Sequence, residues 1–201
     1  MKIRKAREED AEYFIEIKNK LSFKNVNGST TKGGFLLGTN IEQYKEYIVN
    51  EIVLVAEVNE RVVGFGIILN NDSVKKSEIW QKRNAVQWAI NIEEYTETPI
   101  CYFEQLAFIP GYSRLVIQLC FQIVQIAFEK HKTLFTTTVH APILNLAAVP
   151  YILRTGGTKI GVIQEHYPEI GALISDVYLI SKTNFDTHIL QSNRYDFLHK
   201  Q

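Results

Sequence analysis

The sequence predicts a mixed α/β fold around a central sheet, and three observations carry that expectation. Cys101 to Phe108 is an apolar, β-rich run, and Thr133 to Val139 is a second β-rich run. Between them, from Arg114 onward, Gln118, Gln122, Gln125 and Glu129 form one narrow polar stripe on an otherwise apolar helix (Leu115, Val116, Leu119, Cys120, Ile123, Val124, Ala127, Phe128). Such a helix should be buried on most of its circumference, and strands joined by it should be parallel neighbours. Third, Ile52 to Val58 and Arg61 to Leu69, separated by Asn59-Glu60, read as a β-hairpin.

The remaining elements follow in order. Lys2 to Ala6 is a short alternating strand, and Glu8-Glu9-Asp10 suits a helix N-terminus. Ala11, Phe14, Ile17 and Leu21 then mark a helix to about Lys20. Residues 23–40 are polar and glycine-bearing, a long loop that is either functional or a disordered surface segment. Ile41 to Asn50 reads as a short helix. Gly64 and Gly66 share one face of the second hairpin strand, leaving room for a ligand or for a packed helix. Residues 71–98 form a helical insertion, with Ser77 to Ile92 helical and Ile79, Val86 and Ile90 near one face. Trp80 and Trp88 there suit core, dimer or pocket-cap positions. Ile109-Pro110-Gly111-Tyr112-Ser113 is a turn, with Ser113 as helix N-cap. Ile143 to Arg154 reads as a helix interrupted by Pro150 and stopped by Gly156-Gly157. Thr158 to Gln164 and Ser175 to Ser181 are the last strands, joined by a polar loop through His166 and Pro168. Residues 183–201 form a C-terminal extension that docks on the surface or at a dimer contact. With no internal repeat or linker, residues 1–201 read as a single domain.

Composition narrows the function classes. The chain has 201 residues, with 22 Lys and Arg balanced by 22 Asp and Glu. That balance argues against nucleic acid or an anionic membrane as partner. No apolar run approaches the roughly 20 residues of a membrane span. The opening MKIRKAREED lacks the apolar core of a signal peptide, and Cys101 and Cys120 lie in apolar runs. A cytoplasmic location with two buried thiols is therefore expected. No residue cluster has metal-ligand spacing, and no Gly-x-Ser-x-Gly or Walker pattern occurs, so no metal is expected.

Several residues are candidates for chemistry. The helix from Ser113 offers free backbone N–H groups to an anion, with Arg114 adding charge. Glu104 is the first charged side chain of its strand. Strand alternation sets Tyr102, Glu104 and Leu106 on one face and Phe103, Gln105 and Ala107 on the other. Glu104 reads as a general base or as a salt-bridged strand carboxylate. His140 ends the following strand, as a base or as a solvated loop histidine. Tyr151, beside Pro150, is a phenolic acid or a packing tyrosine.

Leu106, Phe108 and Pro110 match a Leu-x-Val-x-Pro-like strand ending. Asn145, Ala148 and, eleven residues after the asparagine, Gly156 match an Asn-x-x-Ala…Gly pattern. On these residues the stretch resembles the core of the GNAT-family N-acetyltransferases. The resemblance implies a GNAT-like acyl-CoA N-acyltransferase fold with flanking helices and a central mixed sheet of about seven strands. Its parallel fourth and fifth strands would splay at their carboxyl ends. It implies acetyl-CoA as co-substrate, its pyrophosphate over Ser113, Arg114, Leu115 and Val116. The pantetheine arm would lie along Leu106, Ala107 and Phe108, with Asn145 nearby. The implied reaction is acetyl transfer to a primary amine of a small molecule or peptide by direct attack, in a monomer or homodimer. Glu104 would be the base, backbone N–H groups near Ala107 and Phe108 would polarise the carbonyl, Tyr151 would protonate the sulfur, and His140 is the next candidate base. Two departures stand out. The phosphate-cradling turn of the family has glycines where Ser113 to Gln118 has none, and the family's tyrosine position is Ile152, with Tyr151 one residue early. They keep open a second reading, a non-catalytic acyl-CoA-binding or regulatory module.

Overall fold

The computed structural model describes residues 1–22, 28–167, 171–192 and Leu198. In chain order the elements are β1 (Lys2–Lys5), α1 (Ala11–Leu21), β2 (Gly28–Thr30), α2 (Ile41–Asn50), β3 (Ile52–Val58) and β4 (Arg61–Leu69). There follow α3 (Asn71–Lys76), α4 (Glu78–Gln81), β5 (Gln87–Trp88), β6 (Ile100–Phe108), α5 (Ser113–Lys130) and β7 (Thr133–Ala141). The chain closes with β8 (Ile143–Asn145), α6 (Val149–Arg154), β9 (Thr158–Tyr167), β10 (Gly171–Ser181) and α7 (Lys182–Leu190). One eight-stranded sheet runs β1-β3-β4-β6-β7-β10-β9-β5, and β2 pairs β8 in a separate two-stranded sheet. In the large sheet β6 and β7 are parallel and the other neighbours antiparallel. The mixed fold with flanking helices is therefore as expected, with the β6–β7 pair in the place of the fourth and fifth strands. The extra strand is β5, from the 71–98 segment.

Two apolar layers hold the sheet. On one face Phe14 of α1 stacks on Phe65 of β4 at 4.1 Å between centroids, and Tyr44 of α2 meets both rings edge-on. Burying one such side chain contributes about 1.5–3 kcal/mol. On the other face α5 lays Leu119 and Ile123 on β4, and α7 sets Phe185 against Phe121 and Phe128 of α5. The hairpin turns through Asn59 and Glu60, both at positive φ (49° and 63°), as a tight two-residue connection requires. Gly66 serves packing: a Cβ there would stand 2.7 Å from Leu119 Cδ2. Gly64 seats the Phe108 ring, whose Cδ1 would lie 2.2 Å from such a Cβ.

Several expectations are corrected. Ser77 to Ile92 is not one helix but α4, a 3-10 turn at Arg83–Ala85 and the two-residue β5. The open edge of β9 wins over helical propensity here, because Gly161 lets Gln87 and Trp88 come close (a Cβ at Gly161 would meet Gln87 O at 3.0 Å). The Trp88 indole also donates to Arg83 O at 2.7 Å. Trp80 is core, while the Ile79 side chain lies outside the described residues. The helix expected from Ile143 begins only at Val149, because Ile143 to Asn145 pair with β2 instead. Pro150 falls in the first turn, where its missing N–H costs no helical bond, so there is no kink. β9 continues through His166, where a polar loop was expected, and the part of that loop around Pro168 lies outside the described residues. Part of the 23–40 loop is strand β2, and residues 23–27 lie outside the description. Of the 183–201 extension, α7 and Leu198 pack in the layer on the α5 side, while 193–197 and 199–201 fall outside it. Among the described residues no helix is long and apolar enough to cross a membrane.

Gly66→Ala should lower unfolding free energy by about 1–3 kcal/mol in a denaturant titration, since α5 must shift to admit the methyl. Unchanged stability would show that α5 does not depend on this close approach.

Candidate active site

The two central strands are paired only at their start. Ile100 to Phe103 pair with Thr133 to Thr136, and Thr136 Oγ1 donates to Phe103 O at 3.0 Å across the last pair. Beyond that point β6 runs on to Phe108 and β7 to Ala141 without a ladder between them. The splay opens a cleft of about 470 Å3, lined by Glu104 to Phe108 on one side and Thr136 to Val139 on the other. Ile109 N–H bonds Val63 O at 3.0 Å, so strand alternation turns Ala107 towards β4 as well. It turns the backbone groups of Leu106 and Phe108 towards the gap. Of the expected N–H donors, that of Phe108 faces the cleft and that of Ala107 does not.

Glu104 sits in a β-bulge. Ile67 pairs with Gln105 but Ile68 pairs with Phe103, so Glu104 is the extra residue. The expected alternation is broken there. Tyr102, Gln105 and Ala107 face the α1–α2 layer, while Phe103, Leu106 and Phe108 face α5. Gln105 is tied down from both ends: the Tyr44 hydroxyl donates to its Oε1 and its Nε2 donates to Thr39 Oγ1, both at 2.9 Å. Among the described residues no cation pairs with Glu104 and no hydrogen bond reaches its carboxylate. Burial pushes its carboxyl up to about 7, and the charge of Glu165 on β9 pushes the same way. Glu104 in turn raises the phenols of Tyr44 and Tyr47, after burial itself.

The other candidates divide into two groups. Leu106, Ala107, Phe108, Ser113, Val116, Asn145 and Tyr151 line the cleft with Glu104. Asn145 is buried, and its Oδ1 accepts from Ala147 N–H at 3.2 Å. The N-cap of α5 is Tyr112 rather than Ser113. Gly111 ahead of it has φ +104° and nothing within 4 Å of a would-be Cβ. Arg114 is exposed beside the first turn, and the Leu115 side chain is buried in the core on the α5 side, so neither lines the cleft. His140 also lies off the cleft wall. Its Nδ1 is 2.7 Å from Asp176 Oδ1, which Lys159 reaches at 2.6 Å. Sequence reasoning missed Glu165, in a run read as the end of a strand and a loop, and Gln105, whose neutral amide gave no signal. The Cys101 and Cys120 thiols are pushed up to about 12 by burial, which leaves them un-ionised at neutral pH. Among the described residues no group of three or more His, Cys, Asp or Glu side chains could hold a metal.

No protein-family model matches the chain, and no curated protein matches its sequence. Solved structures do match. An N-acetyltransferase from Staphylococcus aureus Mu50 aligns with TM-score 0.61 at 9% identity, over 90% of this chain and 96% of its own. An acetyltransferase of the GNAT family from Streptococcus pneumoniae aligns with TM-score 0.54 at 16% identity, over 90% and 98%. A Salmonella typhimurium protein assigned as an acetyltransferase and solved with its cofactor acetyl-CoA gives 0.57 at 13%, over 90% and 93%. At these identities the likeness shows the fold: the chain is folded as the GNAT acetyltransferases are.

The Glu104 carboxyl should titrate near pH 7 in carbon-13 NMR of labelled glutamate. The folded protein holds this proton more tightly than the unfolded chain. The group's contribution to stability is therefore fully present below its ordinary value of 4.5 and is lost as pH rises towards about 7. Relative to Glu104→Gln, the native protein should lose stability across that window. An equal pH dependence in both would place the carboxylate in water.

Proposed function

We propose that this chain is an acetyl-CoA-dependent N-acetyltransferase acting on a primary amine of a small molecule or peptide. The observation that carries the reading is the parting of β6 from β7, which leaves two open backbone edges facing one cleft. An extended ligand with amide groups suits such edges. The first-turn N–H groups of α5 have no intrahelical partners and, with Arg114 exposed beside them, suit a pyrophosphate. The open space at Gly111 stands five residues before Val116, the first position at which the family's turn carries a glycine.

Acetyl-CoA supplies an acyl group activated as a thioester. Glu104 takes the proton from the acceptor ammonium and leaves a neutral amine to attack. Its environment suits that task, because a base works best when its pKa lies near the operating pH. The N–H groups of Leu106 and Phe108 stabilise negative charge developing on the acyl oxygen. Tyr151, in the first turn of α6 and on the cleft wall, holds the proton for the departing sulfur. Glu104 and Glu165 together favour a cationic acceptor over an anionic one. His140, held by Asp176 away from the cleft, plays no part in this scheme.

Thiol release from acetyl-CoA, measured against a panel of amines, tests the reading. Glu104→Gln should cut turnover by at least ~100-fold with coenzyme A affinity retained. Tyr151→Phe should slow turnover with little loss of stability. In the native enzyme kcat/KM should rise with pH through about 7, the range in which Glu104 ionises. Glu165→Gln should move that rise to lower pH, because a repelling charge is removed. Tight binding of acetyl-CoA without turnover of any amine would favour the non-catalytic module instead.

A further inference from the structure

Among the described residues three charged side chains line the cleft: Lys32, Glu104 and Glu165. Lys32 is exposed on the segment ahead of Gly33. The two carboxylates share the α1–α2 side of the sheet. The phenols of Tyr44 and Tyr47 on α2 feel the Glu104 charge, which sets that carboxylate on their side. Glu165 pairs with Leu173 and Ile163 with Ser175, so these four share one face of β9 and β10. Ile163 lies in the core on the α1–α2 side, which fixes that face. Three strand spacings, about 14 Å, separate β6 from β9. Ser175 stands on β10, between those two strands, and lines the cleft although it is only 2% exposed. Its hydroxyl makes no hydrogen bond among the described residues and, unlike the Thr138 oxygen, it is not sealed off. A polar group so placed and so buried is best accounted for by a ligand that reaches it.

One carboxylate is enough for the chemistry at one amine. Glu165 adds no base there, and its charge makes Glu104 harder to ionise. A cation held at Glu165 cancels that repulsion. We infer that the acceptor is an aliphatic diamine or polyamine, whose first amine reacts beside Glu104 while Glu165 and the Ser175 hydroxyl bind its second, ammonium end. The inference rests on the acetyltransferase reading and deepens it. Aliphatic amines are charged at neutral pH, so the second end arrives as a cation. A carboxylate offers about four acceptor sites, which lets Glu165 take an ammonium beside a protein donor. The spread from β6 to β9 calls for several carbons between the two amines. At the first amine a nitrogen–carbon bond forms to the acetyl carbonyl as the carbon–sulfur bond breaks. Its proton passes to Glu104 and the sulfur leaves as the coenzyme A thiol, while the second ammonium keeps its protons.

The test is thiol release from acetyl-CoA by the native protein, Glu165→Gln and Ser175→Ala. Two probe series serve as acceptors: straight-chain α,ω-diamines, and alkylamines of matched length that end in a methyl group. Rates are compared at a pH above the range in which Glu104 titrates, so that the shift of its carboxyl in Glu165→Gln does not enter. In the native protein the best diamine should exceed its matched alkylamine in kcat/KM by about tenfold or more, through KM. Glu165→Gln should abolish that preference, and Ser175→Ala should lower it about threefold. Equal kcat/KM for the two series in the native protein overturns the inference without recourse to a variant. A diamine preference that stays unchanged in either variant overturns it as well. If no amine of any kind releases thiol, the acetyltransferase reading falls and this inference with it. If other amines react and the diamines hold no advantage, only this inference falls.

Discussion

Everything at the centre of this molecule depends on a ladder that stops. A strand inside a sheet satisfies its backbone groups on both edges, and buried groups left unpaired are costly. β6 keeps its bonds to β4 along its length but loses β7 after Phe103. The rest of the packing keeps the gap open. α5 lies mainly over β3 and β4, where Gly66 admits it closely, and borders the gap along its Val116, Cys120 and Val124 edge. A helix seated over the gap would have filled it with side chains. Seated to one side, it leaves the open edges accessible and brings its own N-terminus to the mouth of the cleft.

The bulge at Glu104 is the second device. One added residue reverses the facing of the side chains beyond it, so Gln105 and Ala107 join Tyr102 on the α1–α2 side and Leu106 turns to α5. The buried chain Tyr44–Gln105–Thr39 holds that arrangement, and Lys18 adds a 2.6 Å bond to Thr39 O. A polar network of this kind is rigid when every member is satisfied. Its effect is to present to the cleft a carboxylate that, among the described residues, has no bond of its own, and burial then moves its proton affinity far from the ordinary value.

Much of the fold was legible because its signals were local. The hairpin needed only two β-rich runs and a two-residue turn, and the crossover needed only the glutamine stripe on α5. Helix α2 came out with the bounds read from sequence, Ile41–Asn50. The failures share one cause, a short segment claimed by a distant strand edge. Gln87 and Trp88 pair with β9, and Ile143 to Asn145 pair with β2, against helical patterns that were plausible in isolation. The site was legible in part. Glu104, Tyr151 and the Leu106 to Phe108 run do come together, but the bulge has no signature in a single sequence, so the facing was misread. Glu165 was invisible because only tertiary structure carries β9 to a place where its charge acts on Glu104.

The sheet also has two ends, and both are defended. At one end β1 is short and carries Lys2, Arg4 and Lys5, with Lys2 and Arg4 engaged by Glu57. At the other end β9 is ten residues long, a ready template for another chain's strand. The two residues of β5 cover its middle at Gly161 and Val162, and the Trp88 ring lies against the glycine. The 71–98 segment thus works as a cap against edge-to-edge association. By that physics its loss would show first as aggregation of an otherwise folded protein, and only afterwards as any change in the cleft.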